Sequence, residues 1–208
     1  MTRPLIVGSL LAALCMGVGS RSAGQATTSN PPRTPPATGR AQTAPDKTRI
    51  AIRHGLDRDA SKVNRTPKDT TWAALLAVTH PDDVTTETAQ QSRFRPFETT
   101  TWRIRGTLTS IILRADGDFF LTVTDAQGPS SGVVEVPDPS LCTASPLHAL
   151  IQRTRELLDR KYHPTTTKQT VNDPITVVGV GFFGWENPGS SGFGNTSRLM
   201  PGIGVEFK

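Results

Sequence analysis

The chain has 208 residues, of which 35% are hydrophobic and 6% aromatic, with 17 prolines and 18 glycines. That allows one domain with a modest core plus unstructured sequence, and it excludes a large enzyme. The formal net charge of +5 suggests nucleic acid, but residues 100–208 hold ten Lys/Arg against ten Asp/Glu while residues 33–68 hold nine against three, so the excess lies outside the expected domain.

At the N-terminus Arg3 is followed by a short apolar run from Leu5 to Val18 and then by small residues at Ser20, Ser22, Ala23, Gly24 and Ala26. This reads as a secretory signal over residues 1–24, and it predicts an exported, periplasmic or extracellular protein. The run is shorter than the about 20 apolar residues of a spanning helix, so no membrane span is expected. Leu14 is large where a lipoprotein anchor at Cys15 wants a small residue. With the signal removed only Cys142 remains, which reads as a small buried hydrophobe with no disulfide partner.

Residues 25–48 are rich in Thr, Pro, Ala and Ser, with no large apolar residue. Such a segment cannot offset its ordering entropy. Residues 49–68 are polar and basic. Ile50 and Ile52 flank Ala51, enough for one very short strand, but little stable structure is expected. Residues 25–68 are therefore predicted to be a disordered basic linker. Arg53-His54-Gly55 echoes the signature of phosphatases that form a phosphohistidine; outside a large α/β domain it reads as chance. Residues 69–80 predict a short helix capped by Asp69 or Thr70 and ended by Pro81, with Trp72 as its anchor.

From residue 97 the pattern changes. Trp102, Ile104, Gly106 and Leu108 alternate with Arg103, Arg105, Thr107 and Thr109, as in a half-buried strand, and Gly106 suggests a bulge or sharp coil. A second strand follows at "DFFLTVTD" (118–125) and a third at "SGVVEVPDP" (131–139). "SPLHALIQRTRELLDRKY" (145–162) predicts a helix with Ser145 as cap, Pro146 at its first position and a stripe from Leu147 to Leu158. "PITVVGVGFFG" (174–184) reads as a central strand and "GIGVEFK" (202–208) as a closing one. The order β-β-β-α-β-β is that of the OB-fold, a five-stranded barrel expected over residues 97–208 within a domain of residues 69–208. That fold commonly binds oligonucleotides or oligosaccharides on its strand 2–3 face and its 1–2 and 4–5 loops, though fold alone does not assign function.

The stretches "RPFETTTWRIRGTL" (95–108), "DGDFFLTVTD" (116–125), "VVEVPDPSLC" (133–142), "SPLHALIQRTRELLD" (145–159) and "PITVVGVGFFG" (174–184) resemble a group of uncharacterised exported bacterial proteins with OB-like domains. The resemblance covers about half the chain and implies fold and export, not a reaction. In that group the first acidic site usually reads D-x-D-Tyr-His, and Glu-Leu-His-Pro stands near the last strand. This chain instead has Phe119-Phe120 and Arg198-Leu199-Met200-Pro201. A metal or acid/base site built on those histidines is therefore not expected here.

Asp116 and Asp118 offer oxygen ligands, but "ADGD" between two alternating strands reads as a hairpin turn. Glu135 and Asp138 flank Pro137 and read as solvated acids at a strand end. His54, His80, His148 and His163 show no ligand spacing, and His148 and His163, at either end of the expected helix, read as surface residues. The loop at 184–198 carries Trp185, Phe193 and Arg198, whose aromatic rings can stack bases or sugars or fold back over the barrel end. Arg103 and Arg105 can add phosphate contacts. The expectation is a secreted OB-like binding module with these five ligand-binding residues, no catalytic residue, no metal and no cofactor. Its partner is expected to be a nucleic acid or a cell-wall polysaccharide. The alternatives are a degenerate nuclease-like or other hydrolytic enzyme using Asp116, Asp118 and Glu135, or a structural cell-envelope protein.

Overall fold

A computed structural model describes residues 49–81, 91–184 and 197–207. The expected signal and the linker up to residue 48 lie outside the described residues, as do Trp185 and Phe193.

The longest alternating run of the sequence makes the strand on which the sheet is built. This strand follows β1 (Asn64–Thr70) in the chain and is labelled β2 (Thr100–Leu113). Ile104, Leu108 and Ile111 point into the core, while Arg105 is exposed. Around β2 the sheet grows through β3 (Phe119–Asp125), β4 (Ser131–Val136), β5 (Gln169–Phe183) and β6 (Ser197–Phe207). β2, β3 and β4 pair antiparallel in sequence order. β4 meets β6 in parallel at Val134 and Leu199, β6 pairs antiparallel with β5, and β5 returns antiparallel to β2. The five strands thus form a closed ring of hydrogen-bonded pairings, and β1 adds to β2 in parallel as a sixth strand. The protein is mainly β.

Gly106 lets the ring tighten: a Cβ there would lie 2.1 Å from the Thr124 carbonyl oxygen. The β2 register shift comes slightly later than expected, between Leu108 and Ser110, against both neighbours. The Asp116-Gly117 turn joins β2 to β3 as expected, with Gly117 at φ +90. Between β4 and β5 lies helix α3 (His148–Tyr162), which buries Ile151, Thr154 and Leu158. It begins later than the sequence suggested: Ser145 Oγ accepts from Leu147 N, and Pro146-Leu147 form a turn closed by His148 N donating to the Ser145 carbonyl. β5 and β6 both start earlier than expected, at Gln169 and Ser197.

The clearest difference lies upstream. Residues 49–68, expected to hold little stable structure, form helix α1 (Ile50–Arg53), a 3-10 turn (Ala60–Lys62) and most of β1. Their low apolar content misled because they are buried through paired charges. The expected helix at 69–80 is shorter, α2 (Trp72–Leu76), and its cap is Thr71, whose side chain accepts from Ala74 N. Asp69 and Thr70 belong to β1. Trp72 is the buried anchor, and the Asp125 carboxylate secures it by accepting from Trp72 N (2.7 Å) and Ala73 N (3.1 Å).

The indole of Trp72 lies flat against Gly132, where a Cβ would come within 2.0 Å of the ring. A Gly132→Ala substitution is therefore expected to lower the unfolding free energy by about 1–3 kcal/mol through overpacking, measured by urea denaturation. An unchanged midpoint would mean that α2 shifts freely.

Candidate functional site

Among the described residues, arginines and carboxylates meet at two places on the outside of the β2–β6 ring that bear on the expected site residues. The first lies where the segment 49–63 covers β3, β4, β5 and β6. Beneath it Ile52, Val133, Phe182 and Met200 form a second apolar cluster, with Phe120 packed against it. The charges around this cluster are buried and paired. The Glu98 carboxylate accepts from four donors: Arg49 Nη1 and Nη2 (both 2.6 Å), Phe94 N (2.8 Å) and Phe183 N (2.7 Å). The Arg49 guanidinium also lies about 5 Å from the ring centroids of Phe94 and Phe182. Arg93 binds Asp57 through Nε and Nη2, and it donates to the backbone oxygens of Glu98 and Ile52.

At the β3–β4 end of this face Arg53 meets three carboxylates. Its Nε donates to Glu135 Oε1 at 2.8 Å, and its Nη2 pairs with the same oxygen. Nη2 also stands 3.6 Å from Asp116 Oδ2 and 3.7 Å from Asp118 Oδ2. His54 Nε2 lies 3.4 Å from Asp118 Oδ2, and Asp118 Oδ1 accepts from Asp138 N at 2.9 Å. Phe120 sits directly opposite Glu135 in the β3–β4 ladder. Asp118 is wholly buried and Glu135 nearly so, while Asp116 is partly exposed.

The two buried acids hold protons differently. Burial, helped by the neighbouring Asp118 charge, pushes Glu135 up to about 7 against the pull of Arg53. Burial also works against the Asp118 charge, but the His54 contact and the Asp138 N–H outweigh it and keep that carboxyl below its ordinary range. The cluster can therefore exchange a proton near neutral pH. Sequence reasoning expected Glu135 to be a solvated strand-end acid. It is buried against Arg53 of α1, in a segment expected to hold little stable structure, and His54 at the end of α1 is buried too. Asp116, Asp118 and Glu135, the acids of the enzyme alternative, do converge, and the residue that gathers them is Arg53. Among the described residues no group of three His, Cys, Asp or Glu could hold a metal ion.

The second place is the outer side of β2. Arg103 and Arg105 stand there beside a hollow of about 360 Å³ that Thr70, Thr71, Asp125, Ala126 and Gln127 also line. Asp69 lies 3.3 Å from Arg103 Nη1 and 3.8 Å from Arg105 Nη2. Arg198, expected in the 184–198 loop, is instead in β6 opposite Phe182. Arg105 lies opposite Thr176, six residues away along β5 and so roughly 20 Å distant at ~3.3 Å per residue. Of the five expected ligand-binding residues, the structure brings together Arg103 and Arg105 and separates Arg198 from them.

The Glu135 shift sets a pH dependence. A carboxyl that binds its proton more tightly when folded adds stability that is fully present below its ordinary value of 4.5 and lost as the pH rises through about 7. Asp118 acts oppositely, adding stability above its ordinary 3.8 that is lost as the pH falls further. Urea unfolding between pH 5 and 7.5 should thus show stability declining with pH. In Glu135→Gln that decline should flatten; an unaltered slope would mean that Glu135 stays ionised throughout.

No family model matches this chain, and no curated protein matches it. Among solved structures it is similar to the asparaginyl-tRNA synthetase of Entamoeba histolytica, at 12% identity and a TM-score of 0.36, over 69% of this chain and 23% of the synthetase. It is also similar to a small single-stranded DNA-binding protein from Streptomyces coelicolor, at 14% identity and a TM-score of 0.25, over 52% of this chain and 91% of that protein. This chain thus spans about a quarter of the synthetase's length, and at these scores neither likeness bears on function.

Proposed function

We propose that this chain is an exported OB-like binding module whose five-stranded barrel holds an oligonucleotide or an oligosaccharide. The observation that carries the reading is the closed ring β2-β3-β4-β6-β5 with α3 inserted between β4 and β5, the strand and helix order of a fold that repeatedly serves such ligands. Export is supported by the basic start and short apolar run of residues 1–24. No described helix is long and apolar enough to cross a membrane.

The hydrolytic alternative is favoured by one observation, the convergence of Asp116, Asp118 and Glu135 on Arg53 with unequal proton affinities, a pattern found in acid/base pairs. Against it, Asp118 and Glu135 lie under α1 with almost no exposed surface, where a substrate would have to displace a folded segment.

Fluorescence anisotropy separates the readings. The full chain and a form lacking residues 25–48 should both bind labelled single-stranded oligonucleotides or cell-wall oligosaccharides. Absence of binding by either form would sink the module reading. Nuclease activity that disappears in Asp118→Asn and Glu135→Gln would instead establish the enzyme.

A further inference from the structure

We infer that the ligand is a phosphodiester chain gripped through its backbone on the β1–β2 face, by Arg103 and Arg105 at the hollow they share with Thr70, Thr71 and Gln127. The inference rests on the binding-module reading and gives that module a site and a ligand chemistry. Its first support is what is closed. The face of β3 and β4, which an OB barrel ordinarily offers to its ligand, lies under the chain's own segment 49–63. Ile52 is fully buried there, and Arg49, Arg53 and Arg93 are locked into carboxylates.

The second support is what is open. Arg103 and Arg105 are 32% and 57% exposed. They stand two residues apart on one side of a strand, roughly 6.8 Å at ~3.4 Å per residue, so neighbouring guanidiniums can engage successive phosphates of one extended chain. Their nearby counter-charge, Asp69, is itself 57% exposed and shared between the two arginines, and exposed pairs of this kind are weak. Asp125 also lines the hollow, but both of its oxygens are held by the Trp72 and Ala73 N–H groups. Arg103 Nε is out of solvent with no hydrogen-bond partner, a donor that lacks an acceptor. Thr71 Oγ1 accepts from Ala74 N, which leaves its O–H able to donate. Guanidinium forks match phosphate geometry. No aromatic side chain lines the hollow, so the contacts position a backbone rather than read bases.

The test uses the full chain and a fluorescein-labelled oligothymidylate, titrated at several salt concentrations. Arg103→Ala and Arg105→Ala should each weaken binding about tenfold or more, tenfold standing at the low edge of what hydrogen bonds to charged groups contribute. Each should also remove about 0.7 from the slope of log affinity against log salt, the value for one phosphate of a single strand. Asp69→Asn should tighten binding, and Arg153→Ala, an equal loss of charge on the exposed side of α3, should leave it unchanged. Displacement by polyglycerol phosphate would make any phosphodiester chain the ligand, and its failure to compete would restrict the source to nucleic acid. Stronger displacement by polygalacturonate would overturn the phosphodiester assignment. Wild-type binding that survives both arginine substitutions would overturn the site and leave the module reading standing. No wild-type binding to any of these polymers would remove both.

Discussion

The Glu98 carboxylate is the contact on which the arrangement depends. It is completely buried, and its two oxygens take four donors from three parts of the chain: the Arg49 fork, the backbone at Phe94 and the backbone at Phe183. A buried carboxylate is tolerable only when its lone pairs are satisfied. Each donor therefore fixes a neighbour. Arg49 brings in the segment 49–63, Phe94 N orients the approach to β2, and Phe183 N holds the end of β5. Removing one partner from such a pair typically costs about 3–5 kcal/mol, yet replacing the whole pair by apolar groups is often neutral. The four bonds tie the segment to the approach to β2 and to the end of β5 at one carboxylate.

That docking gives the ring two unlike outer faces. On the β3–β4 side the segment encloses Phe120, Val133, Phe182 and Met200 and converts three acids into internal partners of Arg53. On the β2 side Arg105 stays exposed and Arg103 partly so. Charges of similar type therefore have opposite fates. The arginines of the 49–63 segment, and Arg93 with them, are spent on internal pairing, and those of β2 face water beside a hollow. The basic excess noted for residues 33–68 is thus partly consumed in folding, since Arg49 and Arg53 lie among its nine bases.

The acid at Glu135 shows how the two levels interact. A valine-rich strand with one acid close to its end reads as a strand end in water, and the strand itself is where the pattern puts it. The acid's proton affinity follows from a helix some 80 residues upstream, whose register on the sheet no local pattern reveals. The Phe120 position is similar. It alternates correctly as an outward residue of β3, and it is half-buried because Ile52 and its neighbours close over it.

What the amino-acid order determined by itself is the part governed by local periodicity and turn chemistry. That part includes the strands from β2 to β5, the Asp116-Gly117 turn, the α3 stripe, the anchoring by Trp72 and the outward placement of Arg103 and Arg105. Period 2, period 3.6 and glycine's access to positive φ act over a few residues and leave a direct trace in the sequence. The tertiary structure alone decided the rest: the fold of residues 49–68, the true cap of α2, the gathering of Asp116, Asp118 and Glu135 by Arg53, and the separation of Arg198 from Arg103 and Arg105. These outcomes depend on which distant charges meet once water is excluded. Pairing between residues 36 to 85 positions apart carries no sequence period, so a polar segment that folds by it looks the same in one dimension as one that does not fold.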